Sequence, residues 1–229
     1  MKQLKHSILR SPTILGLGLC VGLCAFGYNR ISLDQAPSVG KGIRQDMAQV
    51  SLFWNDRHQD LSTQQIELIL EARLPKSQLK HAKPLARHIQ KMAQAYAFSP
   101  SLILAVIQAE STFRFDALSP VGALGLMQVL PSTAKYIADK SKISSYKKAK
   151  DLKDPFINIT LGVAYLAYLR DRFENPMHYV AAYNLGPTTV GRMLDENNFT
   201  LGKVTKYVTE IHSEANQLRK NSTSLVAQN

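Results

Sequence analysis

Glu110 is the residue whose type and place point most directly to chemistry. Ile103, Val106 and Ile107 lie seven, four and three positions before it, which on a helix puts all four on one face. A carboxyl on an apolar stripe loses water, and lost hydration raises its pKa. A fold that holds such a group either pairs it with a cation or keeps a proton donor for use. The plain alternative is a helix-end carboxylate that reaches solvent or pairs with Arg114. After Ser111, Thr112 and Phe113 comes a loop, Ser119-Pro120-Val121-Gly122-Ala123-Leu124-Gly125-Leu126-Met127-Gln128. Its two glycines permit turns and close approach to a ligand. The loop therefore either lines a groove beside the acid or merely joins two helices.

Other chemistries find less support. Both cysteines, Cys20 and Cys24, fall within the first 27 residues, so a domain without that stretch has no thiol nucleophile, Cys-based zinc site or disulfide. His58, His81, His88, His178 and His212 show no pair spaced for one helix face, and Pro84 interrupts any helix joining His81 to His88. No metal and no cofactor is expected.

The elements that must position Glu110 are helical throughout. Ser62 with Gln65 forms a capping box for a helix whose apolar face is Ile66, Ile69, Leu70 and Leu74, stopped by Pro75. From Pro84 the stripe Leu85, Ile89, Met92, Ala93 and Tyr96 makes the next helix. Ser99-Pro100 caps the helix that ends at Glu110, Pro131 opens another, and Asp154-Pro155 starts a long one through Ile159, Val163, Leu166, Leu169 and Phe173. Two more cover Tyr179 to Tyr183 and Val204 to Ile211. No strand pair with a hairpin turn stands out, so the fold class is all-α, a compact helical bundle.

The ends differ in kind from this middle. Lys2, Lys5 and Arg10 precede an uncharged apolar run, Thr13 to Tyr28, with Ala25-Phe26-Gly27 as a small-x-small cleavage triplet. Residues 1–27 read as a cleaved signal peptide or a retained membrane anchor through residues 13–28; either exports the domain to the periplasm or cell envelope. Residues 28–83 read as a linker with one accessory helix, 84–218 as the catalytic domain and 219–229 as a loose tail. The chain carries 28 Lys and Arg against 17 Asp and Glu, a net charge of +11. The lysines are dispersed and export removes the domain from cytosolic nucleic acid, so the charge suits an anionic wall or membrane surface rather than a nucleic-acid partner.

Several ordered motifs resemble those of the soluble-type lytic transglycosylases, a goose-lysozyme-like family. They are Glu110-Ser111-x-Phe113, the loop Ser119 to Gln128, Pro131-x-Thr133-Ala134, Asp154-Pro155-x-x-Asn158-Ile159-x-x-Gly162-x-x-Tyr165-Leu166, Ala181-Ala182-Tyr183-Asn184-x-Gly186-Pro187 and Tyr207-Val208-x-x-Ile211. The resemblance runs from about Pro84 to Ile211. Leu185 stands in place of the family's usual alanine, Val204 where an acidic residue commonly precedes Thr205, and residues 195–203 lack an often-seen proline. The resemblance implies a lysozyme-like helical domain acting on peptidoglycan glycan strands. It implies Glu110 as the single catalytic acid and base, with Ser119, Gln128, Tyr183 and Asn184 as substrate-binding residues, the Tyr183 hydroxyl orienting Glu110. The implied product is a 1,6-anhydro sugar, formed without a second carboxylate; a lysozyme-type hydrolase and a non-catalytic wall-binding domain are the competing functions.

Overall fold

Proline and small polar residues set the punctuation of this chain. The computed structural model describes residues 60–199 and 201–226, and these belong to one compact unit. Eight α-helices occur among the described residues: α1 Thr63–Arg73, α2 Ala82–Tyr96, α3 Pro100–Ser111, α4 Pro131–Ser141, α5 Pro155–Phe173, α6 Pro176–Leu185, α7 Pro187–Asp195 and α8 Leu201–Val226. Pro occupies the first turn of α3 through α7, where a missing N–H leaves no bond unmade and φ is preset for the helix. Ser99, Asp154 and Asn175 accept from the free backbone N–H groups of α3, α5 and α6. At α1 the capping box forms as expected, Ser62 and Gln65 each accepting from the other's backbone.

The central layer is α5. Ile159, Leu161, Val163, Leu166 and Leu169 are fully buried, and the helix packs on α2, α4 and α6. α3 is apolar all round, with every residue from Leu102 to Ile107 buried, as a helix surrounded by neighbours must be. It packs most extensively on α8. The α1 helix packs on α2 and α8 and sends Ile66 and Leu70 into the common core. It thus belongs to the globular body and is no free-standing element of a linker.

The observed boundaries depart from the sequence pattern in four places. A 3-10 turn, Lys76–His81, fills the polar stretch before α2, which begins at Ala82 with Pro84 inside its first turn. α7 was not among the expected helices, although Val190 is buried and Met193 and Leu194, three and four positions on, pack against the core. α8 continues past Leu218 to Val226, so part of the expected loose tail is helical. The loop between α3 and α4 carries two isolated antiparallel bridges, Leu118 with Leu124 and Leu124 with Val129, although no strand forms among the described residues. The apolar run at residues 13–28 and the linker at 28–59 lie outside the described residues.

Candidate active site

Glu110 lies in the last turn of α3, whose C-cap Thr112 and the next residue Phe113 both take left-handed backbone, φ 49° and 62°. This double reversal turns the chain sharply away from the helix. Phe113 is buried, which pins the reversal by apolar packing. Part of the Glu110 side chain meets solvent, while neighbours crowd its carboxyl. Burial raises its pKa, and a hydrogen bond from Tyr207 works in the opposite direction. The Tyr207 hydroxyl donates to Glu110 Oε1 at 2.5 Å. The alternative partner, Arg114, is directed elsewhere: its Nε donates to the Ser111 carbonyl.

Tyr207 therefore occupies the orienting place that the resemblance gave to Tyr183. The Tyr183 hydroxyl donates instead to the Met127 carbonyl at 2.9 Å, tying α6 to the loop. Tyr183 still lies within electrostatic reach of Glu110. Burial first, then the nearby Glu110 charge, pushes both phenols well above their ordinary pKa. Both thus remain protonated donors at any physiological pH.

The position of Tyr207 depends on how α8 is held. Arg73 of α1 contacts Glu214 of α8 and the Gln108 side-chain oxygen of α3, each at 2.6 Å. One guanidinium nitrogen, Nη1, therefore joins three helices around the acid, donating to both partners.

The loop is fixed from below by Asn158, a buried polar residue on the central helix. Its side chain accepts from the Met127 N–H at 2.7 Å and donates to the Leu124 and Leu152 carbonyls, both at 2.8 Å. Buried backbone groups need such partners, and three are served by one side chain. Gly162 lets the loop approach: a Cβ there would stand 2.5 Å from Met127 Sδ and 2.7 Å from its Cβ. Gly125 at φ 77° makes the turn that only glycine adopts freely.

Of the expected binding residues, Gln128 and Ser119 first serve this loop. Gln128 Nε2 donates to the Ala117 and Gly125 carbonyls, leaving its carbonyl oxygen outside both bonds. Ser119 Oγ accepts from the Ala123 N–H at 2.9 Å. Met127 is fully buried, in keeping with an apolar packing role. Asn184 is exposed at the end of α6. Glu110 is not in the lining of the surface concavities around Tyr168, Tyr146 and Glu210, although the last includes its neighbours Gln108 and Ala109. Among the described residues no group of three or more His, Cys, Asp or Glu side chains is placed to hold a metal.

The sequence profile of the transglycosylase SLT domain matches residues 87–205. The chain belongs to this family. The membrane-bound lytic murein transglycosylase C of Histophilus somni is 36% identical over 132 residues, covering 53% of this chain and 36% of that protein. The soluble lytic murein transglycosylase of Escherichia coli is 37% identical over 102 residues, covering 44% of this chain and 15% of that protein. This chain thus spans little more than a third of the membrane-bound relative and far less of the soluble one. Among solved structures, an inactive glutamate-to-glutamine mutant of the lytic transglycosylase Slt from Pseudomonas aeruginosa matches with TM-score 0.56 at 29% identity, over 66% of this chain and 25% of that one. The all-α architecture is therefore that of the SLT fold.

Proposed function

We propose that this SLT-domain protein is a peptidoglycan lytic transglycosylase, cleaving the β-1,4 bond between N-acetylmuramic acid and N-acetylglucosamine and leaving a 1,6-anhydro end. The observation that carries the reading is Glu110, a carboxyl with its pKa raised by burial and its oxygen held by a phenol. A donor for a glycosidic oxygen needs a pKa above the ordinary carboxylate value, and burial moves Glu110 in that direction. Most glycosidases add a second carboxylate. Here the next acid along the chain, Asp116, is exposed in the turn after Arg114.

In the proposed cycle Glu110 gives its proton to the leaving N-acetylglucosamine oxygen as the C1–O bond breaks. The C6 hydroxyl of the same muramic residue then attacks C1, and the Glu110 carboxylate takes the hydroxyl proton. The ring closes, the glutamic acid is regenerated and no water is consumed. Attack from within one sugar gains from proximity, so no protein nucleophile is needed. The Tyr207 hydroxyl meets the carboxylate in its charged half of the cycle, when a donor stabilises it most. The carbonyl of Gln128, outside both of its side-chain bonds, would accept from a sugar acetamide N–H, and Ser119 and Asn184 would add further polar contacts, as the family resemblance implies. The inactive glutamate-to-glutamine mutant among the structural neighbours supports dependence on one glutamate. The names of the relatives, membrane-bound and soluble murein transglycosylases, support a place in the cell envelope, where an exported chain would meet this substrate.

The test is a digest of purified peptidoglycan by wild type and Glu110→Gln, read by mass spectrometry. Anhydro-muropeptides from wild type alone are expected. Reducing ends without the anhydro form would mean that water attacks, as in a lysozyme; lytic activity retained by Glu110→Gln would refute the assignment of the acid.

A further inference from the structure

Cations dispersed along the chain come together on α2. The helix buries Leu85, Ile89 and Met92, with Ala82, Ala86 and Ala93, against the core. Lys83, Arg87 and Lys91 repeat every fourth residue on its outer side, and Lys80 of the preceding turn stands three positions before Lys83. All four are exposed. Successive members of such a row rise about 6 Å along the helix axis. No acid interrupts it: the sequence holds no Asp or Glu between Glu71 and Glu110. Ion pairs among the described residues use none of the four side chains. The carboxylate of Asp154, whose charge reaches His88 at the inner edge of α2, is committed to the first N–H groups of α5. Like charges four apart on a helix repel, so the row does not assist folding, and an external polyanion would relieve that repulsion.

Three features narrow the kind of polyanion. The row follows the outside of a helix, and the concavities around Tyr168, Tyr146 and Glu210 are lined by other residues, so the partner is broad rather than a small anion in a pocket. Three of the four cations are lysines, point charges on flexible stems that adapt to diffuse negative charge. At the foot of the row Leu79, next in the chain to Lys80, is 39% exposed, in a 3-10 turn that buries no residue of its own. An exposed leucine among lysines fits the boundary between lipid headgroups and acyl chains, and a hydrated polysaccharide offers it nothing comparable.

We propose that Lys80, Lys83, Arg87 and Lys91 form a docking surface for an anionic phospholipid bilayer, with Leu79 entering the headgroup layer. Each cation near such a surface adds to the attraction, and the effect fades within a Debye length. The apolar run from Thr13 to Tyr28 makes a membrane the first surface the chain meets, whether that run is cleaved or retained. The row includes none of the residues given a role at Glu110, so the proposal stands or falls apart from the reading of the substrate.

The test is co-sedimentation with lipid vesicles, comparing neutral phosphatidylcholine with mixtures rich in phosphatidylglycerol. The hydrophobic core runs from Leu61 to Leu218, so the chain from Tyr28 onward keeps it whole, and it lacks the apolar run that would otherwise hold every variant on any vesicle. This chain is expected to prefer the anionic vesicles, and high salt to remove most of the preference. Lys83→Gln, Arg87→Gln and Lys91→Gln together should weaken binding to anionic vesicles roughly hundredfold, about fivefold per cation, and leave binding to neutral vesicles unchanged. Lys83→Arg with Lys91→Arg keeps the charge and should keep the binding. Leu79→Ser should lower the part of the binding that survives high salt. All these positions are exposed, so thermal melts of the variants should match wild type and a loss of binding reports the surface itself. Binding that ignores headgroup charge, or a triple glutamine variant that binds as wild type does, would overturn the proposal. So would a triple variant that loses pelleting with purified sacculi but keeps its affinity for vesicles, because the partner would then be a wall polymer.

Discussion

Replacing Tyr207 by Phe removes one oxygen atom and keeps the ring. The lost atom is the donor 2.5 Å from Glu110 Oε1. A hydrogen bond to a charged group contributes about 1.5–3 kcal/mol. If that contribution is made while Glu110 is a carboxylate, kcat falls roughly ten- to hundredfold. The pH profile moves in a defined direction. The phenol lowers the Glu110 pKa against the larger raising effect of burial, so its removal leaves burial unopposed. The alkaline limb of kcat/KM, where Glu110 loses the proton it must donate, then shifts to higher pH. Stability follows the same logic. Glu110 has a folded-state pKa above its unfolded one, so the stability gained from protonation is complete below the unfolded value and lost as pH rises through the folded one. The deficit of Tyr207→Phe relative to wild type should accordingly widen with rising pH through that window. The assay is release of soluble muropeptides from sacculi across pH, paired with thermal melts. A variant with an unchanged limb and kcat within twofold of wild type would refute the argument.

Glu110→Gln removes a buried charge while keeping an oxygen for Tyr207, so it should melt above wild type at neutral pH, the difference shrinking below the ordinary carboxylate range. Asn158→Leu leaves the Met127 N–H and the Leu152 carbonyl unpaired and the Leu124 carbonyl with its Val129 N–H alone; an expected loss of about 3 kcal/mol would lower Tm by several degrees, and an unchanged melt would contradict the pinning role. Gly162→Ala pushes on Met127 from below and is expected to cost about 1–3 kcal/mol and to reduce turnover by displacing the loop. Arg73→Met unlinks α1, α3 and α8; kcat should drop more than KM changes, because what moves is the phenol and not the sugar contacts.

Local rules served the sequence well. The Ser62–Gln65 box, Ser99-Pro100 and Asp154-Pro155 are decided by neighbours within one turn, and each opens a helix where the pattern placed it. The burial of Glu110 was legible too, because Ile103, Val106 and Ile107 share its face. What was not legible depends on distant packing. Tyr183 and Tyr207 both lie near the acid, and the choice of partner follows from how α8 docks on α3, 97 residues along the chain. Tyr207 stood in a quoted motif with no role attached. Asn158 was equally visible as a polar residue within an apolar helix, yet two of the three groups it serves lie on a loop more than thirty residues earlier. α7 was missed although Val190, Met193 and Leu194 repeat at three and four and pack on the core; at nine residues it is a short run.

Because a ribosome builds from the amino end, each nascent copy carries its acid 97 residues before the phenol that steers it. Until α8 is made and laid against α3, Glu110 lacks the hydroxyl that holds its carboxyl. The order of residues thus withholds the finished arrangement from any half-made copy, and under the proposed function that delay would act as a safety catch.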